Sequence, residues 1–356
     1  MRWLLLLVCA CSVAPRPDLP APSGALATVL VPGYKGSFLV DEHGERAWLN
    51  PEEALSSGDR SLALPFEGER PSKTFGPLHP DGPMTKLGVL FVHQDVYLGF
   101  LEFARGALPG VVAFGYDWRK DLRESARELC ETIARLPVER VDLVAHSMGG
   151  LVALHCLRSG APKVRRVVFA GTPFRGGAQI MNDFLAGTST GRDSALLSRE
   201  ALFSFPAAFQ LLPPAGEFTD PEAWLRGGWG VFADPALRAN AAYRAQLDRM
   251  LAVHRESWAA LEGARGTRDT LAVVGTGRPT IAVVHPKDPE HPDRADGDGS
   301  VLVTSATLEG AEVFQTRAEH AELLLDPDVQ RAIARFLEAP RPPEPAPSSD
   351  AAERPR

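Results

Sequence analysis

The sequence predicts an α/β fold: a mostly parallel central sheet with helices on both faces and an inserted helical cap. Three observations predict it. Apolar, β-branched runs alternate with segments of helical spacing, the rhythm of a parallel sheet whose crossovers lay helices on its faces. One junction, Ala145-His146-Ser147-Met148-Gly149-Gly150, sets small residues around a serine between a buried run and a helix. After Phe174 the strand rhythm stops for nearly a hundred residues while aromatic side chains accumulate.

A chain of 356 residues that is 44% hydrophobic can bury a large core. The net charge is −7 with both signs interspersed, and no nucleic-acid motif is present, so nucleic acid is excluded as a partner. At the amino terminus, Arg2 and the short apolar run Leu4–Val8 fit an export signal over residues 1–11. A membrane-spanning helix needs about 20 apolar residues. Val8-Cys9-Ala10-Cys11 resembles a bacterial lipobox with Cys11 as the lipidated residue; ordinary cleavage after Ala10 or Ala14 is the alternative. The expectation is an exported protein, anchored to a membrane through Cys11 or otherwise secreted or periplasmic.

Residues 12–25, with Pro15, Pro17, Pro20 and Pro22, read as an extended tether. The fold begins at the buried strand Ala27–Val31, which breaks at Pro32-Gly33. Residues 37–85 lack periodicity and read as a loop-rich excursion in which Trp48 and Asn50-Pro51 stand out. Leu87–Val92 reads as a strand, Val96–Arg105 as a helix and Val111–Phe114 as a strand. From Asp121, the residues Leu122, Ala126, Leu129, Ile133 and Leu136 recur at helical spacing. Strands at 141–145 and 164–170 flank the helix after Ser147. Residues 174–268 read as a strandless helical cap whose aromatics are divided between its own core and an apolar pocket wall. Core strands resume at Thr270–Gly275; Thr280–Val284 extends the sheet or forms a hairpin, and an acidic loop runs from Asp288 to Val301. Ala311–Gln315 is the last strand, a helix spans Pro327–Leu337, and 339–356 reads as a disordered tail. The core is thus expected over 26–173 and 269–338. Cys130 and Cys156, both on predicted helices, either pair or stay free.

Strand, sharp turn and helix around Ser147 make the order of a nucleophile elbow, where only small residues such as Ala145 and Gly149 let strand and helix pass so closely. A serine needs a base to take its proton, and the base needs a carboxylate to fix its tautomer. Of nine histidines, only His320 follows the last strand in a loop before a terminal helix, while His146 is expected to point away beside the serine. Asp298, before the tight turn Gly299-Ser300, is the leading acid, with Asp296 its rival. The acidic loop also admits a Ca²⁺ reading, but its spacing matches no calcium-binding loop and solvated charge is the commoner use. No metal or other cofactor is expected. The loop after Pro32-Gly33 is expected to face the elbow, so the Tyr34 N–H, alone or with that of Lys35, is a candidate oxyanion donor.

Val31-Pro32-Gly33-Tyr34, Tyr116-Asp117-Trp118-Arg119, Ala145–Gly150, Gly171-Thr172-Pro173-Phe174-Arg175-Gly176-Gly177, Asp296-Gly297-Asp298-Gly299-Ser300-Val301 and His320 follow one another in the chain. In that order they resemble the lecithin-cholesterol acyltransferase and lysosomal phospholipase-like branch of the α/β-hydrolases, over roughly residues 26 to 338. The resemblance implies Ser147 as nucleophile, Asp298 as acid and His320 as base, with the N–H groups of Tyr34 and Met148 as oxyanion donors. It implies a lipid acyl hydrolase or acyltransferase acting on ester-linked fatty acyl groups, with a lipid or other acyl ester as substrate; association with a membrane surface is a separate expectation. Two features depart from the family pattern: Ala145 replaces a glycine, and the cysteine-closed lid loop of the animal enzymes has no counterpart. A plain secreted lipase or carboxylesterase and a non-catalytic binding protein of the same fold are the competing readings.

Overall fold

The alternation of strands and helices closes into a six-stranded sheet in the computed structural model, which describes residues 12–14, 17–50, 58–69, 73–89, 92–190, 193–214, 220–285 and 288–338. The expected signal with Cys11 and the carboxy-terminal tail lie outside the described residues. The sheet strands are β1 (Leu26–Val31), β2 (Val111–Ala113), β3 (Arg140–His146), β4 (Val164–Ala170), β5 (Thr270–Gly275) and β6 (Glu312–Thr316). They lie in the order β2-β1-β3-β4-β5-β6, and every neighbouring pair is parallel. Leu30 lies opposite Val144, Val144 opposite Val168 and Val168 opposite Leu271, so one apolar row runs across four strands.

Because side chains alternate along each strand, the row Leu30, Val144, Val168, Leu271 faces one layer and its neighbours Val29, Leu143 and Val167 face the other. Helix α1 (Leu98–Ala107) and the terminal helix pack Phe100, Leu101, Val329 and Ile333 on the first row. The second row is covered by α2 (Leu122–Arg135) and α3 (Met148–Arg158), with Leu122, Leu129, Ile133, Leu151 and Val152 buried there. Asp121 caps α2 by accepting from the Arg123 N–H. Cys130 on α2 and Cys156 on α3 form a disulfide, their Cα atoms 5.6 Å apart.

The cap contains α4 (Gln179–Ala186), several short helices and α5 (Ala241–Leu261). Its aromatics fill its own interior: Phe184 and Phe203 stand edge-on to Phe209 at 4.9 and 5.8 Å, and Phe203 meets Phe232 at 5.2 Å. The far half of α5 leaves the cap to lie on α3, where His155 Nε2 and Ser257 Oγ are 2.9 Å apart. The last helix of the fold is α6 (Pro327–Glu338).

Five expectations are corrected. Residues 37–85 hold a three-stranded antiparallel sheet, with Ser37–Val40 between Arg46–Trp48 and His79–Pro83; Pro80 and Pro83 are tolerated because that strand is an edge. Trp48 anchors the excursion by donating from Nε1 to the Lys35 carbonyl and standing edge-on to Trp118. Lys86–Val89 is not a core strand but pairs antiparallel with Val92–Asp95 and with Ser12–Ala14, which draws part of the tether into a sheet. The cap contains a short hairpin, Thr188–Thr190 with Asp193–Leu197. The acidic loop is itself a strand, Asp288–Gly297, paired antiparallel with Arg278–His285 outside the main sheet.

Candidate active site

The sheet order reverses between β1 and β3, and the crevice at such a switch point, at the carboxyl ends of the strands, is where an open α/β sheet offers a binding site. Ser147 sits there, between the end of β3 and the start of α3, with φ 54° and ψ −128°. A left-handed conformation strains any residue with a side chain and persists only where the surroundings impose it. The imposition is visible. A Cβ on Gly149 would lie 2.4 Å from the Pro32 carbonyl oxygen, and one on Gly150 would lie 1.9 Å from Thr172 Oγ1. Ala145 is fully buried against the α2–α3 layer, so its methyl group is accommodated.

Ser147 Oγ lies 2.8 Å from His320 Nε2, and His320 Nδ1 lies 2.7 Å from Asp298 Oδ2. The other Asp298 oxygen accepts from the N–H groups of Ser300 and Val301 at 2.9 and 2.7 Å. Burial pushes the Asp298 carboxyl up, but the neighbouring His320 and these hydrogen bonds outweigh it and hold the group below the usual carboxylate range. The ionised carboxylate accepts the His320 Nδ1 proton, which leaves Nε2 as acceptor for the Ser147 hydroxyl. The backbone also serves here: the His320 N–H donates to the Asp298 carbonyl at 3.0 Å. Asp296 is exposed and accepts from the Gly277 N–H instead.

The loop after β1 closes against the elbow. Gly33 to Gly36 forms a turn with the Gly36 N–H bonded to the Gly33 carbonyl at 3.0 Å and Lys35 at φ 61°, and a Cβ on Gly33 would press on Ser147 Cβ at 2.8 Å. Among the described residues, neither the Tyr34 nor the Met148 N–H has a hydrogen-bond acceptor. Tyr34, Ser147 and His320 line a cavity of 180 Å³ together with Pro173, Ile180 and Leu211. Of the cap groups expected in a pocket wall, Leu211 is there, whereas Phe184, Phe203 and Phe209 are not. Lys35 Nζ sits 4.9 Å from the centre of the Tyr34 ring and reaches Asp183 and Thr188 Oγ1 at 3.5 and 3.1 Å, joining the loop to the cap. Burial first, and Asp183 second, push the Tyr34 hydroxyl well above 10, so it stays neutral. A larger cavity of 490 Å³ between Phe174, Trp258 and Leu308 contains none of these groups.

Two residues of the site were not anticipated. His146 does not point away: its ring lies 5.0 Å from the His320 ring, and its nitrogens contact Tyr97 and the His320 carbonyl. Tyr97, just before α1, carries no motif that marks it. Among the described residues no group of three or more His, Cys, Asp or Glu side chains could hold a metal ion; the acidic strand spreads its carboxylates along an exposed ribbon.

Residues 106–229 match the family model for lecithin:cholesterol acyltransferase. An uncharacterized protein of Saccharomyces cerevisiae is 26% identical over 194 residues, which are 53% of this chain and 29% of that protein. The chain thus spans less than a third of the length of this curated relative. Among solved structures, the Tle4-Tli4 complex contains a chain that superposes with a TM-score of 0.55 at 14% identity, covering 89% of this chain and 98% of that one. The mature form of the Bacillus licheniformis lipase BlEst2 covers 91% of this chain and 95% of its own at 13% identity, with a TM-score of 0.39. The fold is that of the α/β-hydrolases, and over residues 106–229, which carry the elbow, the chain is similar to the lecithin:cholesterol acyltransferase family.

Proposed function

We propose that the protein is a serine-dependent lipid acyl hydrolase or acyltransferase that works through an acyl-serine intermediate. The observation that carries this reading is the hydrogen-bonded chain from Ser147 through His320 to Asp298, opening on a pocket walled by Ile180 and Leu211. In the proposed reaction Ser147 Oγ attacks the ester carbonyl as His320 Nε2 takes its proton, and the Tyr34 and Met148 N–H groups receive the developing oxyanion. His320 then gives the proton to the leaving alcohol. Water or a second alcohol, deprotonated by the same nitrogen, releases the acyl group.

The test is fluorophosphonate labelling together with turnover of phospholipid in the presence of a lipophilic alcohol. Labelling at Ser147, loss of about 10⁴-fold or more of activity in Ser147→Ala, and a new ester product are the expected results. Free fatty acid alone would remove the transferase half. An unlabelled serine with unchanged activity in the alanine variant would leave the non-catalytic reading. The pocket volume favours one second reading. At 180 Å³ it is below the roughly 300–1,000 Å³ typical of ligand sites, which suits a carboxylesterase for short acyl groups; rates across acyl chain lengths distinguish the two.

The same reading puts the protein outside the cytoplasm, held at a membrane surface through a lipid on Cys11. The Cys130–Cys156 bridge supports it, since disulfides persist in oxidising compartments. Mass analysis of the mature amino terminus decides: a diacylated Cys11 is expected, and an intact Met1 on cytosolic protein would sink the idea.

A further inference from the structure

Gly33, Tyr97, His146 and His320 come from four separate parts of the chain and meet in one file of hydrogen bonds. The Gly33 N–H donates to Tyr97 Oη at 2.8 Å, Tyr97 Oη lies 2.8 Å from His146 Nδ1, and His146 Nε2 lies 2.9 Å from the His320 carbonyl oxygen. Tyr97 is 3% exposed and His146 8%, so water does not compete for these atoms. The two ends of the file have fixed polarity. A backbone N–H can only donate and a carbonyl can only accept. Tyr97 Oη, having accepted from Gly33, must send its own proton to His146 Nδ1, and His146 must carry its proton on Nε2 to satisfy His320.

Every proton position is therefore set by the backbone, with no charged group in the file. Burial, and then the neighbouring His320, lower the His146 pKa to about 3, so the ring stays neutral in the tautomer the file requires. Neutrality matters because the His146 and His320 rings are 5.0 Å apart: a second cation there would oppose the imidazolium that His320 becomes when it takes a proton.

We propose that Tyr97 and His146 are positioning residues, forming a proton-ordered strut that holds the Gly33-Tyr34 loop, the Ser147 elbow and the His320 loop in one geometry on which turnover depends. The strut ties together the three segments that carry the proposed donor, nucleophile and base. Asp298 orients the His320 ring through Nδ1 and its main chain through the N–H, while His146 holds the same residue by its carbonyl. The two restraints act on opposite sides of one residue. Removing the tyrosine hydroxyl would leave the Gly33 N–H without its acceptor and free His146 to take the other tautomer, which would turn a lone pair on the His320 carbonyl.

The proposal rests on the functional reading above, and its test separates the two. Tyr97→Phe, His146→Leu and His146→Gln are compared with the wild type in ester turnover, thermal melting and histidine ¹⁵N spectra. Glutamine keeps a donor and an acceptor, and leucine keeps neither. Tyr97→Phe and His146→Leu are expected to lower kcat by roughly tenfold to a hundredfold with KM changed less than about threefold, the size of a small misplacement of reacting groups. His146→Gln is expected to recover most of that loss. The wild-type spectrum should show His146 wholly as the Nε2–H tautomer, and Tyr97→Phe should show a mixture. Full kcat in Tyr97→Phe, or equal losses in the glutamine and leucine variants, overturns the proposal. Should a variant fail to fold, a wild-type His146 found as the Nδ1–H tautomer overturns it alone. That spectrum needs no substrate, so it still decides if the wild type cleaves no ester and the functional reading falls.

Discussion

His146 and His155 are buried neutral, and both should make the fold acid-sensitive. Burial is the leading cause in each, lowering His146 to about 3 and His155 to about 4; His254 is lowered for the same reason. In the unfolded chain these rings take a proton near 6.5, so below that pH the unfolded state binds protons that the native state refuses. Their stabilising contribution is complete above 6.5 and is lost as pH falls toward 4, at about 1.4 kcal/mol per pH unit for each ring. Denaturation midpoints between pH 7 and 4.5 should show this decline, with a shallower slope in His155→Gln; a flat profile would contradict it. Gly149→Ala should be worse for stability than Gly150→Ala, since the new methyl would meet the carbonyl oxygens of Val31 and Pro32 in the first case and a threonine side chain in the second. Urea midpoints of both variants check the order. Ser147, Asp298 and His320 were legible because a serine in a tight turn, a carboxylate before a turn and a late histidine each leave a local mark. Tyr97 left none: whether its hydroxyl meets His146 depends on where α1 packs, which no local pattern encodes.

Among the elements, α2 and α3 are joined by the Cys130–Cys156 bridge across a separation of 26 residues. Closing a loop of that length restricts the unfolded chain by about 3–4 kcal/mol in the chain-entropy account. Reduction should lower the unfolding free energy by a comparable amount, read from urea melts, and leave ester turnover at low temperature intact, since Cys156 lies well along α3 from Ser147 and the bridge supplies none of the hydrogen bonds of the site. The sequence left the pairing open, because two helical positions reveal a disulfide only once the crossing of their helices is known. The core strands were legible for the opposite reason: β1, β3 and β5 are buried on both faces and read as mainly apolar runs, interrupted in β3 by the buried Asp142. Ser37–Val40 and Thr188–Thr190 are too short to show a period, and the acidic strand Asp288–Gly297 is paired through its backbone on an exposed ribbon that asks nothing apolar of its side chains.

At the scale of the whole molecule, cap and sheet meet over the site, and Lys35 is a joint between them through Asp183 and Thr188. Both side chains of the ion pair are about one-fifth exposed, so removing the ammonium group leaves a partly buried carboxylate behind. Lys35→Met should raise hydrogen exchange in Asp193–Leu197 and α4 while leaving β3 and β4 as slow as before. Equal exchange in cap and sheet would mean the joint holds nothing.

The distance along the chain between Ser147 and His320, 173 residues, has a consequence in time. The elbow draws on β1, β3 and β4, whose Ala170 carbonyl accepts from the Ser147 N–H, whereas His320 lies beyond β5, the Asp298 turn and β6 in the chain. Sheets assembled from such remote pairings form slowly. A chain still emerging from the ribosome therefore carries Ser147 with no histidine beside it, and the hydrogen-bonded file from Ser147 through His320 to Asp298 can close only once all three residues have been made.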